Sequence, residues 1–294
     1  MSGAGPTRRP AVAGAFYPAD PDDLAALVEE CLHADSRRIP RPAALPGLVA
    51  GILVPHAGLV YSGGTAATGW SALVSVDPST VVIVGTCHTA PWLEALGVSP
   101  ASAWSIPGAE VAVDGDLRDA IVALGGPFLV DARAHAAEHA IEVQLPFLRR
   151  LLPRARFVPI TAGCTPDAAV IGGDMLGRLL AERREAGERI ALAISTDFAH
   201  YPPQPIAEAV TTEHTPGLEA LDIARVHDVE RHLRTAGQVG VDCGLCGLEA
   251  TLAGLAALRV MGATQGALIA RATSADRPGS GFSRTVGYAS FAFA

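Results

Sequence analysis

The sequence contains no lysine, so all 22 of its basic side chains are arginines, set against 30 aspartates and glutamates for a net charge of −8. Nucleic acid is bound through clustered Lys and Arg on phosphates, so this balance argues against it as a partner. Cysteine is sparse and odd in number: five, scattered along the chain. That excludes a disulfide framework as the first reading and suits a reducing compartment. Residues 1–10 lack the apolar centre of a secretory signal. No apolar stretch approaches the roughly 20 residues of a membrane span. A cytoplasmic protein is expected, with neither membrane nor nucleic acid among its partners.

What is present is a large apolar inventory, 49% hydrophobic against 18% charged over 294 residues, enough for one large α/β domain. Three apolar runs lead within a few residues into a loop carrying histidine: Gly51–Val54 before His56, Val81–Val84 before His88, and Ala191–Ile194 before His200. A fourth, Phe157–Ile160, lacks the histidine. Continuous β-rich runs suit strands of a parallel sheet buried on both faces. Ligands of open α/β sheets bind outside the carboxyl ends of such strands. Three imidazoles delivered to one sheet edge are the makings of a metal or acid–base centre.

Along the chain, residues 1–10 read as a flexible tail. Asp20-Pro21 caps a helix with Leu24, Leu27, Val28 and Cys31 at helical spacing. A proline-rich connection over 39–46 leads into the first strand, and a turn-forming segment over 57–64 precedes a helix near 65–73. Residues 134–152 read as a helix that Pro146 kinks or splits. A strand over 156–161, a helix over 166–184 and the strand ending at Ser195 follow. Residues 205–235 read as helical with breaks at Pro216-Gly217 and near Val226. A helix over 247–260 then precedes strands over 266–272 and 284–294. With no repeat and no long linker, residues 11–294 are expected to form a single α/β domain, a central mostly parallel sheet flanked by helices.

Several residue patterns could carry chemistry. His56 and His88, as neutral imidazoles, suit Fe, Zn or Cu, although a strand-end histidine also serves simply to bond backbone. Asp197 precedes His200 by three residues, a spacing that fixes a histidine tautomer for general-base work or makes an Asx-type turn before Pro202-Pro203. His135-Ala-Ala-Glu138-His139 spells the inverted zinc-peptidase signature. That reading needs His135 and His139 on one helix face, Glu138 as base, and a third ligand such as Glu213 or Glu219. Cys243 and Cys246 form a lone CxxC, which supplies one thiolate to a mixed His/Cys site or two small buried residues. Cys87, beside His88, is open to the same two readings.

Taken in order, these segments resemble the Memo family, whose bacterial and archaeal branch is labelled AmmeMemoRadiSam system protein B. The matching stretches are Ala13–Pro18, Pro55–Gly63, Gly85–His88, Trp104–Gly108, Glu138–Leu148, Ser195–His200, Cys246-Gly247 and Val286–Ala289. The resemblance implies a fold similar to class III extradiol dioxygenases, which cleave catechols with Fe(II) held by two His and a carboxylate. In Memo-like proteins a Cys replaces the carboxylate. By that correspondence His56, His88 and Cys246 are the metal ligands, with Cys243 the runner-up. His200 takes the acid–base position with Asp197 as its orienter. Glu138 and His139 approach the same cleft, and Tyr17 and Tyr61 line it.

Two departures stand out. The family usually has Gly-Pro-Ser/Asn-His at the second ligand, where this chain has Gly85-Thr86-Cys87-His88. After the ligand Cys the family tends toward a further Gly or His and then Pro. Here Cys246-Gly247 is followed by Leu248-Glu249, which makes Glu249 a further candidate carboxylate. The resemblance implies a non-haem Fe(II) centre, with Cu or Zn as alternatives, and O2-dependent oxidation of a small aromatic molecule. A non-enzymatic scaffold that binds a peptide or partner is the rival, and a functional link to a radical-SAM protein is implied by the family label. The zinc-peptidase reading stands third.

Overall fold

The computed structural model describes residues 5–34, 47–235 and 243–294. A short strand β1 (Thr7–Arg8) precedes helix α1 (Pro21–His33), which Asp20 caps by accepting the N–H groups of Asp22 and Asp23. Strand β2 (Gly51–Val54), helix α2 (Leu59–Ser71) and strand β3 (Thr80–Thr86) form the first crossover unit. Strands β4 (Leu96–Val98), β5 (Ala103–Ile106) and β6 (Ala109–Ala112), helix α3 (Gly115–Ala123), strand β7 (Phe128–Val130) and helix α4 (Ala132–Ala136) follow. A 3₁₀ turn over Glu142–Gln144 enters α5 (Leu145–Leu151), then β8 (Arg156–Ala162), α6 (Pro166–Glu185) and β9 (Ile190–Ser195). The chain closes with α7 (Gln204–Glu219), α8 (Ile223–Thr235), α9 (Leu248–Val260), β10 (Gly266–Thr273) and β11 (Gly287–Phe293).

Eight strands make the main sheet in the order β10-β11-β2-β9-β3-β8-β4-β7. The central four, β2, β9, β3 and β8, are mutually parallel, while β11 on one side and β4 on the other join antiparallel. The α/β domain with a mostly parallel centre is therefore as expected, with mixed edges. Alternate residues along the strands face two cores. Leu53, Val82, Val84, Ile160, Leu192 and Ile194 pack with α6 and α9, whereas Ile52, Val54, Val81, Ile83 and Ala193 pack with α1, α2 and α5. Helices α6 and α9 lie so close that a Cβ on Gly177 would sit 2.7 Å from the Ala257 carbonyl oxygen. Among the described residues no helix is long and apolar enough to cross a membrane.

Four sequence readings are corrected. Within the supposed tail, Thr7–Arg8 pairs in parallel with β5 in a small sheet of order β1-β5-β6. The Arg8 guanidinium is clamped there, ion-paired with Glu142 at 2.5 Å and stacked 4.0 Å over Trp104. The turn-forming 57–64 segment is helical from Leu59 onward. The helix expected over 134–152 is two helices, because Glu138 accepts the N–H groups of His139 and Ala140 and so interrupts the ladder. Pro146 falls in the first turn of α5, where it is tolerated. Helix α7 runs through Pro216, and Val226 lies inside α8. The break comes at residues 220–222, where Leu221 takes φ 49° and Asp222 caps the next helix through the Arg225 N–H. The proline-rich 39–46 connection lies outside the described residues.

Candidate metal centre

Strand β9 lies between β2 and β3, and the register sets Val54, Ser195 and Gly85 side by side. All three strands end at one level, so the loops that carry His56, His88 and Asp197 emerge together. The placement anticipated from the apolar runs follows from this register.

His56 is held from three directions. Its N–H donates to Asp197 Oδ1 at 2.7 Å, its Nδ1 lies 3.0 Å from Ser195 Oγ, and its Nε2 lies 3.1 Å from Cys246 Sγ. The Ser195 hydroxyl donates to the Ala140 carbonyl at 2.7 Å, so toward His56 it acts as acceptor. Nδ1 therefore carries the proton and Nε2 presents its lone pair to the thiol. Ser195 is itself steadied by Gln144, whose Nε2 donates to Ser195 Oγ and to the Pro55 carbonyl while its Oε1 accepts from Trp70.

His88 is oriented by Glu138. The carboxylate accepts the His88 N–H at 2.6 Å and approaches its Nδ1 at 2.9 Å, leaving Nε2 outward. Burial alone would raise the Glu138 pKa, but the bonds from His88 and from the Ala140 N–H outweigh it and hold the group at about 2. His139 stacks on His88 at 4.5 Å and meets His56 edge-on at 5.5 Å. Burial and then the neighbouring His88 depress His139 to about 4. His56, fully enclosed, is pushed well below the usual imidazole range by burial and by the surrounding imidazoles.

The Cys246 loop is stitched to the segment after β9. Leu245 bridges Phe198, the Cys246 N–H donates to the Asp197 carbonyl, and the Gly247 N–H donates to Thr196 Oγ1. Asp197 N–H in turn donates to Cys246 Sγ at 3.1 Å. From below, Glu230 of α8 accepts the N–H groups of Gly244 and Leu245 at 3.2 and 3.0 Å. Donor atoms of His56, His88 and Cys246 lie within 4.8 Å of one another, and the same holds for the sets His88, Glu138, His139 and Asp197, His200, Cys246. Burial, then Asp197 and Cys243, push the Cys246 thiol well above its ordinary pKa. Two imidazoles and a thiol with donor atoms this close form a donor set that fits a transition metal.

Above these groups opens a cavity of about 710 Å³ lined by His56, His88, His139, Asp197, His200, Tyr61, Tyr201 and Arg284, among others. His200 Nε2 lies 3.9 Å from Asp197 Oδ2, beyond hydrogen-bond reach, and Asp197 spends its other oxygen on the His56 N–H. Burial raises Asp197 to about 7.

Other expected residues fall elsewhere. His135 is buried with Nε2 on the Gly97 carbonyl, edge-on to Trp104, and belongs to no donor cluster among the described residues. The peptidase reading fails on that separation, and Glu213 and Glu219 join no cluster either. Tyr17 does not line the cavity; its hydroxyl donates to Glu142 at 2.6 Å. Cys246, not Cys243, stands beside the imidazoles. Glu249 has Arg234, Glu230 and His227 as electrostatic neighbours and is absent from the donor sets. Cys87 points to the Ala90 carbonyl in a small apolar cluster. The sequence reading did not single out Ser195, Gln144, Glu230 or Arg284. Ser195 and Gln144 did lie within the quoted stretches, where their types alone offered the signal.

Known proteins resemble this chain in sequence and in fold. A family profile described as Memo-like protein matches residues 8–292. A MEMO1 family protein of Methanopyrus kandleri is 36% identical over 296 residues, covering 97% of this chain and 98% of the relative. One from Methanothermobacter thermautotrophicus is 36% identical over 290 residues, covering 96% and 98%. The crystal structure of an uncharacterized Escherichia coli K12 protein superposes with a TM-score of 0.53 at 16% identity, over 81% of this chain and 99% of that one, which shows a shared fold. By family match and by relatives along its whole length, this chain belongs to the Memo family.

Proposed function

We propose that His56, His88 and Cys246 hold a non-haem metal ion, Fe(II) in the first instance, and that the cavity above them binds a small aromatic molecule for O2-dependent oxidation. The observation that carries this is the fixing of both rings: Ser195 and Glu138 each engage one nitrogen, His56 Nε2 faces Cys246 Sγ at 3.1 Å, and a donor atom of His88 lies within 4.8 Å of both. A metal held by two imidazoles and one thiolate would supply redox and Lewis-acid chemistry with positions left for substrate and O2. His200, on the cavity wall, would take a proton from the substrate and return it. Asp197 anchors the His56 loop, and His139 presents a ring face beside the site.

A soft thiolate also suits Cu or Zn, which favours as second reading a metal-tuned scaffold that binds a peptide or partner, with a radical-SAM protein as functional company in the cytoplasm. Oxygen uptake separates the two. Iron-loaded protein given catechols should consume O2, and His200→Ala should keep its metal while losing turnover. Metal-replete protein that consumes no O2 with any catechol would leave the scaffold reading in its place.

A further inference from the structure

One wall of the cavity includes a ribbon made by two separated segments. The Phe198 N–H donates to the Gly287 carbonyl, Gly287 N–H to Ala199, Tyr201 N–H to Thr285 and Thr285 N–H to Pro202, all between 2.8 and 3.0 Å. His200 bridges Val286 in the middle of this pairing. Arg284, two residues before Val286, therefore sits at the mouth end of the wall that carries His200. Its guanidinium lies 4.7 Å over the Tyr201 ring. Tyr201 takes φ 69°, a left-handed conformation that an aromatic residue rarely adopts and that the bond to Thr285 maintains.

Charge around the cavity is lopsided. Among the described residues, Arg284 is the one guanidinium on its lining and Asp197 the one carboxylate, and Asp197 is buried. No carboxylate among the described residues ion-pairs with Arg284, whereas Arg8, Arg183 and Arg234 are all paired. A guanidinium stacked on an aromatic ring and facing a cavity is a fork for a planar oxyanion. The volume lies in the usual range for small-molecule sites.

We propose that the cavity selects aromatic acids, with Arg284 pairing to the substrate carboxylate while the ring reaches toward His56 and His88. This deepens, and rests on, the reading of the site as one for small aromatic molecules. Arg277 stacks on Tyr61 at 4.7 Å but is not among the residues that line the cavity, so it serves as the control.

The test is anoxic calorimetry of the purified protein with 3,4-dihydroxybenzoate and with catechol, which lacks the carboxylate. Wild type should bind the acid about tenfold more tightly. The two affinities should converge in Arg284→Gln, diverge again in part in Arg284→Lys, and keep their ratio in Arg277→Gln. Equal affinities in wild type, binding of neither compound, or a preference that survives Arg284→Gln would overturn the proposal. His88→Ala keeps the two readings apart. Weakening of both compounds by one factor supports a metal anchor for the ring. Unchanged affinities with the preference intact would defeat the metal reading and leave Arg284 in its role.

Discussion

At the floor of the cavity, polar groups are buried and bonded to one another: His56 is 1% exposed, Asp197 2%, and Ser195, Gln144 and Glu138 are fully enclosed. On the more exposed part of the lining, Tyr61 is 43% exposed and Tyr201 46%, and the segment between Arg277 and Arg284 brings glycines 279 and 281 to the cavity. A buried polar network is stable only when each member is satisfied, and it then admits one arrangement. The floor thus holds its donors in place before any metal arrives, which lowers the cost of binding one. An exposed glycine-containing rim with few side-chain bonds can adjust to what enters.

The sharpest way to break this contrast is Glu138→Ala. It removes the acceptor for the backbone N–H groups of His88, His139 and Ala140 and for the His88 ring. We expect metal affinity to fall about 10- to 100-fold and unfolding free energy to drop by about 3 kcal/mol, read by metal titration and urea denaturation. An affinity within twofold of wild type would mean that the floor is not prearranged.

Acid should test the cost of burial away from the cavity. Burial holds His135 at about 4 against an ordinary 6.5, so the folded state favours the neutral ring. Its contribution is complete above pH 6.5 and is lost as pH falls toward 4, by about 3 kcal/mol in all. His135→Gln, which keeps a donor for Gly97, should flatten the stability–pH curve in that window; an unchanged slope would assign the loss to other groups. Next in size is Glu230→Gln, which weakens the hold on the loop before Cys246. About a tenfold loss of metal affinity is expected, with little effect if the loop is fixed from the Thr196 side alone. Smallest of all, Tyr61→Ala at the mouth should change stability by no more than about 0.5 kcal/mol in denaturation. A larger change would make the rim part of the rigid frame.

The positions of His56, His88 and His200 were legible because an apolar run followed by a histidine is a local pattern, and a parallel sheet turns it into a common edge. Cys246 came from family resemblance, through a spacing that only the family pattern makes meaningful. What stayed hidden depends on distant partners. Arg8 reads as part of a tail until Glu142, more than a hundred residues away, is seen to hold it. Ser195 reads as the end of a strand, and only the Ala140 carbonyl makes it an acceptor for His56. Residues 134–152 have helical composition, yet the Glu138 carboxylate competes for the backbone donors and divides the segment. Conversely, α7 continues through Pro216 because His214, Gly217 and Leu218 are buried in the tertiary structure, which outweighs the local penalty.

His56, His88 and Cys246 are proposed to form one metal centre. Elemental analysis after anoxic purification, on wild type, His56→Ala, His88→Ala and Cys246→Ser, tests it most directly. Near-stoichiometric metal, iron foremost, is expected in wild type, with its loss in all three variants. Metal retained at wild-type levels in any of them, or none in wild type, would contradict it.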